Sequence, residues 1–157
     1  MERKPDWLKV RYNGDAVNEV AEIMRDMGLN TVCKEANCPN LGECYKKHTA
    51  TFMILGNICT RNCKFCNVTT GRPLPPDENE PENVAKAAKK LGLRHVVLTC
   101  STRDDLADGG AEHFAKTVRA IRKICPGATV ETLISDMKMN TDALDIIADV
   151  HPDVINH

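Results

Sequence analysis

The chain has 157 residues, 42% hydrophobic and 27% charged, which suits one globular domain with a sizeable core and excludes a disordered chain. Lys and Arg number 21 against 22 Asp and Glu, a net charge of −1, so the bulk basic footprint of a nucleic-acid binder is missing. No apolar run reaches the roughly 18–20 residues of a membrane span, and "MERKPDWLKVRYNGD" lacks the apolar centre of a secretory signal, which predicts a cytoplasmic protein without membrane or nucleic-acid partners.

In chain order, Val17, Val20, Ala21, Met24 and Met27 fall at helical spacing between Asp15, an N-cap, and Gly28, a stop. They predict an amphipathic helix whose methionines face the core. Residues 33–50 read as loop, punctuated by Asn, Pro and Gly. "TATFMILGNI", 49–58, is a near-continuous apolar run and predicts a buried strand. The extended "GRPLPPDENEP" leads to a helix opened by Pro81, buried through Val84, Ala87, Ala88 and Leu91 and stopped at Gly92. "RHVVLTC" is a second strand. A helix buried through Phe114, Val118 and Ile121 follows and breaks at Pro126-Gly127. "ATVETLI" is a third strand, "NTDALDIIADV" a third helix, and "DVINH" begins a fourth strand. Strands alternating with helices predict an α/β fold in which helices cover a parallel sheet. Stopping inside a strand leaves its ladder incomplete, so the sequence is expected to be part of a longer chain.

Eight cysteines in a reducing compartment point to metal or catalytic use rather than disulfides. Three of them, Cys59, Cys63 and Cys66 in "CTRNCKFC", have the spacing C-x3-C-x2-C. Soft thiolates select zinc, Cu(I) or iron–sulfur clusters. Structural zinc sites join two paired elements into a closed tetrahedron, and bacterial ferredoxins use C-x2-C-x2-C-x3-C-P; the triplet matches neither. Three thiolates on a [4Fe–4S] cluster would leave one iron open to a substrate or cofactor.

This triplet, on a loop after the first strand of a β/α unit and with Phe65 before its last cysteine, resembles the radical S-adenosylmethionine enzymes, whose open iron binds the cofactor's amino and carboxylate groups. A second triplet, Cys33, Cys38 and Cys44 in "VCKEANCPNLGEC", lies just upstream. Together with "TATFMILGNICTRNCKFCNVTTGRP", "VVLTCSTRDDLADGGAEHFA" and "INH", it makes roughly residues 30–157 similar to the lipoyl synthase family. The resemblance implies an incomplete parallel (β/α) radical SAM barrel over 51–157, truncated in its fourth strand, after a helical and loop extension over 1–50. It implies two [4Fe–4S] clusters, the upstream one on Cys33, Cys38 and Cys44 being consumed as a sulfur source, and S-adenosylmethionine as cofactor. The implied reaction inserts two sulfur atoms at C6 and C8 of an octanoyl chain on a lysine of a carrier. Its implied partners are lipoyl carrier domains, namely 2-oxoacid dehydrogenase E2 subunits and the glycine cleavage H protein, and an electron donor such as ferredoxin or flavodoxin.

The same resemblance makes Cys59, Cys63 and Cys66 catalytic. Phe65 is expected to shield the cluster and contact adenine, or simply to give apolar support. Thr99 and Cys100 end the second strand, the edge where α/β sheets bind ligands; Cys100 and Cys125 read as buried structural residues. Arg103, Asp104 and Asp105, ahead of a helix opened by Gly109-Gly110, are candidates for the cofactor's polar groups. Glu131 stands mid-strand, where a carboxylate needs a partner or a job; it either faces the cofactor inside the barrel or lies exposed on an edge strand. Asn156 and His157 match a family segment near the site. His48, His95, His113 and His151 read as ordinary polar positions. The sequence departs from the family with Ser135 where Pro is usual, His48 where Gly is common, and no C-terminal Arg-Ser-Ser-Tyr segment, whose serine is the auxiliary cluster's fourth ligand. The competing readings are another sulfur-inserting radical enzyme of the methylthiotransferase kind, and a non-catalytic iron–sulfur or zinc module.

Overall fold

The computed structural model describes residue 5 and residues 14–36, 38, 40–46 and 49–157. Its first helix, α1 (Gly14–Asp26), buries Val20, Ile23 and Met24. Asp15 lies inside this helix rather than capping it, and Ala21 faces solvent; Ile23 takes the inward position because the buried stripe follows Val20 by three and four residues. A two-residue strand, β1 (Asn30–Thr31), leads into a single-turn helix, α2 (Val32–Glu35), capped by Thr31 Oγ1 accepting the Lys34 N–H at 3.3 Å. A third short helix, α3 (Leu41–Lys46), packs against α1. The expected loop over 33–50 is thus partly helical, and His48 lies outside the described residues.

Strand β2 (Thr51–Ile54) is shorter than its apolar run, because Leu55 and Gly56 both turn to positive φ. Two further pairs of residues, β3 (Ile58–Cys59) and β4 (Thr69–Thr70), form a small parallel ladder at the base of the cysteine loop. Three β/α units then follow: α4 (Glu80–Lys90) and β5 (His95–Cys100); α5 (Ala111–Ile124) and β6 (Thr129–Leu133); α6 (Thr141–Ala148) and β7 (Val154–Asn156). Helix α4 ends where Leu93 N–H bonds Ala88 O and Gly92 N–H bonds Lys89 O, with Gly92 at φ +61°.

The main sheet has the order β1-β2-β5-β6-β7, parallel throughout except for β1, an antiparallel edge that the sequence reading did not anticipate. Phe52, Ile54, Val96, Leu98 and Val130 point to one face, where they bury against Val84, Ala88, Phe114, Val118, Ile121 and Ile147 of the helices. The other face carries the rows Thr51–Val97–Glu131–Val154 and Met53–Thr99–Leu133–Asn156. A mostly parallel sheet with helices on one side is an incomplete (β/α) barrel, and the loops after β2, β5 and β6 gather at its C-terminal edge.

Candidate functional site

The cysteine loop leaves β2 at that edge and is fastened at its base. Thr60 N–H and Oγ1 both donate to Thr102 O, at 3.0 and 2.9 Å, and Thr60 Oγ1 accepts Asp104 N–H at 3.1 Å. On the return side Gly71 N–H bonds Cys59 O and Thr70 Oγ1 donates to Arg61 O, each at 3.0 Å. Cys59 is buried at the base, with Arg61 N–H directed at its Sγ at 3.4 Å. Cys63 and Cys66 are exposed at the tip, closed by Cys66 N–H to Cys63 O at 3.0 Å. Phe65 is 94% exposed, so among the described residues it gives no apolar support.

Arg61, inside the cysteine motif, is the residue the sequence reading passed over. Its guanidinium bonds both oxygens of Asp104, at 2.6 and 2.8 Å, and both oxygens of Asp136, at 2.7 and 2.8 Å. One side chain thereby ties the cysteine loop to the loops after β5 and β6 through paired, charge-assisted bonds. Lys138 Nζ adds a bond to Asp104 O at 2.7 Å. Hydrogen bonds from Arg61 are the leading cause holding Asp104 below the usual carboxylate range and pulling Asp136 down to about 2. Carboxylates depressed on folding stabilise above their unfolded pKa, and that contribution is lost as pH falls through the folded one. Wild type is therefore expected to lose more thermal stability between pH ~4 and about 2 than Arg61→Met does. Melting curves across that range check this, and added salt should narrow the gap because the pairs are partly solvated.

Arg103 and Asp105 sit where the sequence placed them, but they are turned to each other: Nε and Nη2 of Arg103 bond the two Asp105 oxygens at 2.9 and 2.8 Å. That contact leads in holding Asp105 below its ordinary range. Arg103 is 1% exposed, and its remaining Nη1 donates to Leu55 O at 3.0 Å. A cavity of about 270 Å³ opens beside it, where Thr102, Asp104, Ser135, Lys138 and Asn140 mix with Leu106, Ala107 and Met137. Thr99 is buried near the C-terminal end of β5. Glu131 lies on the sheet face away from the helices, between His95 Nε2 at 3.0 Å and Asn156 Nδ2 at 3.4 Å. Because β7 flanks β6, the edge-strand placement of Glu131 does not hold. Burial pushes the Cys100 thiol up to about 12 and raises Cys125 as well; both pack against the core. His113, taken as ordinary, is largely buried against Glu80 at 2.7 Å.

The upstream triplet lies in the segment before β2, with Cys33 in α2, Cys44 in α3 and Cys38 between them. Burial pushes the Cys33 thiol up; a backbone hydrogen bond from Thr51 opposes the shift, and charge at nearby Cys38 and Cys44 adds to it. Cys38 N–H bonds Cys33 O at 3.0 Å. Asn67, next to Cys66, donates to Glu35 O at 3.5 Å, so the two cysteine-bearing segments touch.

All eight cysteines are free thiols. Among the described residues no three Cys, His, Asp or Glu side chains converge as a single metal ion would require. A four-iron cluster asks for something different, namely thiolates on separate irons, and each triplet offers three soft donors with no imidazole or carboxylate among them. The donor sets fit such clusters. Among the described residues no helix is long and apolar enough to cross a membrane.

The family model described as the Radical SAM superfamily matches residues 53–157. The chain is 57% identical over 155 residues to a lipoyl synthase of Caldanaerobacter subterraneus subsp. tengcongensis, an alignment covering 99% of this chain and 54% of that protein. The chain thus spans about half the length of the curated relative it matches. The match runs from within β2, through the cysteine loop and every β/α unit, to the end of the sequence, and on that basis the chain belongs to the Radical SAM superfamily.

Proposed function

We propose that this chain forms the cofactor- and sulfur-bearing part of a lipoyl synthase, which inserts two sulfur atoms at C6 and C8 of a protein-bound octanoyl group. The observation that supports the reading is that the segments bearing the two triplets meet, Asn67 beside Cys66 donating to Glu35 O of α2. When bound, a [4Fe–4S] cluster on Cys59, Cys63 and Cys66 with S-adenosylmethionine supplies radical chemistry, and a second cluster on Cys33, Cys38 and Cys44 supplies sulfur.

The chain's own residues hold and orient. Thr60 and Arg61 fix the base of the cysteine loop to the loops after β5 and β6. Thr99, Glu131 and Asn156 offer polar atoms on the open sheet face, and Thr102, Ser135 and Asn140 offer polar groups for the cofactor along a cavity that Leu106, Ala107 and Met137 also line. The partners proposed are octanoylated carrier domains of 2-oxoacid dehydrogenase E2 subunits and glycine cleavage H protein, with ferredoxin or flavodoxin as electron donor, all in the cytoplasm.

Anaerobic reconstitution followed by iron, sulfide and zinc analysis tests the reading. About eight iron per chain, with matching sulfide, is the expected result for two four-iron clusters. Stoichiometric zinc without sulfide would overturn it.

A further inference from the structure

Leu55 is where the backbone turns from β2 into the cysteine loop, and it holds φ +67°, a left-handed conformation that leucine rarely adopts. Such a backbone persists only where its surroundings over-determine it. Here both of its peptide groups are held by buried side chains from distant parts of the chain. Glu80 Oε2, on the first residue of α4, accepts the Leu55 N–H at 2.8 Å. Arg103 Nη1, on the loop after β5, donates to the Leu55 carbonyl at 3.0 Å.

Each holder is held in turn. His113 Nε2 of α5 lies 2.7 Å from the same Glu80 oxygen, and Asp105 takes two bonds from Arg103. Ser101 Oγ donates to the next carbonyl, Gly56 O, at 3.2 Å. Glu80 is 5% and Arg103 1% exposed. Groups of this kind are costly to bury, and apolar residues of similar volume generally stabilise a core as well or better. Packing alone therefore does not account for them, whereas fixing one peptide orientation does.

We infer that Glu80 and Arg103 are positioning residues that clamp the two peptide groups of Leu55, so that the loop bearing Cys59, Cys63 and Cys66 leaves β2 in the one direction that lets its thiols close on a cluster. The inference rests on the proposed reading of those thiols as cluster ligands. The loop's tip is exposed, so its direction is set at the base, where the turn at Leu55 acts together with the bonds of Thr60 and Arg61.

The test uses the full chain with Cys33, Cys38 and Cys44 changed to Ala, leaving one cluster site, and compares it with the same chain also carrying Glu80→Leu, Glu80→Gln, Arg103→Met or Val118→Ala. Each is reconstituted anaerobically, and iron release to a chelator is followed by loss of the cluster's absorbance, alongside thermal unfolding. Glu80→Leu and Arg103→Met should release iron about tenfold faster, the factor expected from stranding one buried hydrogen-bonding group. Glu80→Gln keeps an oxygen for the Leu55 N–H and should stay within about twofold of the parent. Val118→Ala, two helical turns beyond Gly110 in the core of α5, should lower the melting temperature without speeding release. Parental release rates in both Glu80→Leu and Arg103→Met, or release that merely follows melting temperature with Val118→Ala included, would overturn the clamp. If either clamp variant fails to fold, the other decides. A parent that takes up no iron and sulfide would instead overturn the reading of the cysteine site and the clamp with it.

Discussion

Replacing Cys59, Cys63 and Cys66 together by alanine is expected to take reconstituted iron from about eight to about four per chain, with sulfide falling in step. The iron that remains should give an electron paramagnetic resonance signal indifferent to added S-adenosylmethionine. Replacing Cys33, Cys38 and Cys44 instead should cause the same fall while preserving the response to the cofactor, because in the proposed reading the cofactor binds at the site of Cys59, Cys63 and Cys66. The expectation follows from placement as well as number. Cys59 is fixed at a buried strand end, whereas Cys63 and Cys66 stand exposed at the tip of the same short loop. The upstream thiols belong to a different segment, Cys33 in α2, Cys44 in α3 and Cys38 between them. Iron analysis and spectra of the two triple variants check the prediction. Iron content that ignores the loss of Cys59, Cys63 and Cys66 would sink it.

Much of this architecture was legible because period and punctuation agree. In α4, Val84, Ala87, Ala88 and Leu91 repeat on one face between Pro81 and Gly92, and all four are buried. In α5, Phe114, Val118 and Ile121 do the same. The strands β5 and β6 read as apolar runs because one face is sealed by helices, and Glu131 interrupts its run on the face that is not. The cysteine triplets stand out in the sequence for a different reason: thiols at fixed short spacing have few uses other than metal or redox chemistry.

The rest depends on contacts that spacing does not encode. Glu80 and His113 meet across 33 residues, Arg61 and Asp136 across 75, and each alone looks like a solvated charge at a helix end or in a loop. Arg61 carried a faint signal, a cation between two cysteines of one motif, but its partners lie on two other loops. The early end of β2 at Ile54 is invisible in "TFMILGNI", because the left-handed turn at Leu55 is imposed by side chains 25 and 48 residues away. The antiparallel β1 spans two residues, and α2 and α3 are only four and six long, too short for a periodic pattern to register.

The same corner of the structure sets the second large effect. Gly110→Ala is expected to cost roughly 2–6 kcal/mol, combining a left-handed backbone at about 1–3 with overpacking at about 1–3. Gly110 caps α5 at φ +96°, and a Cβ there would collide with Leu55 Cδ1. Leu55 is buried and its peptide groups are fixed by Glu80 and Arg103, so only a rotation of its side chain within the core can relieve the contact. Gly109 is the internal control. It also has positive φ, +61°, but a Cβ there would meet Met137 only at 3.4 Å, an ordinary contact, so Gly109→Ala should cost about 1–2 kcal/mol from the backbone alone. Urea unfolding of the two variants measures the difference. A clearly larger loss at Gly110 assigns the excess to the collision with Leu55, whereas equal losses would mean that Leu55 gives way and that the turn into the cysteine loop is softer than its hydrogen bonds imply.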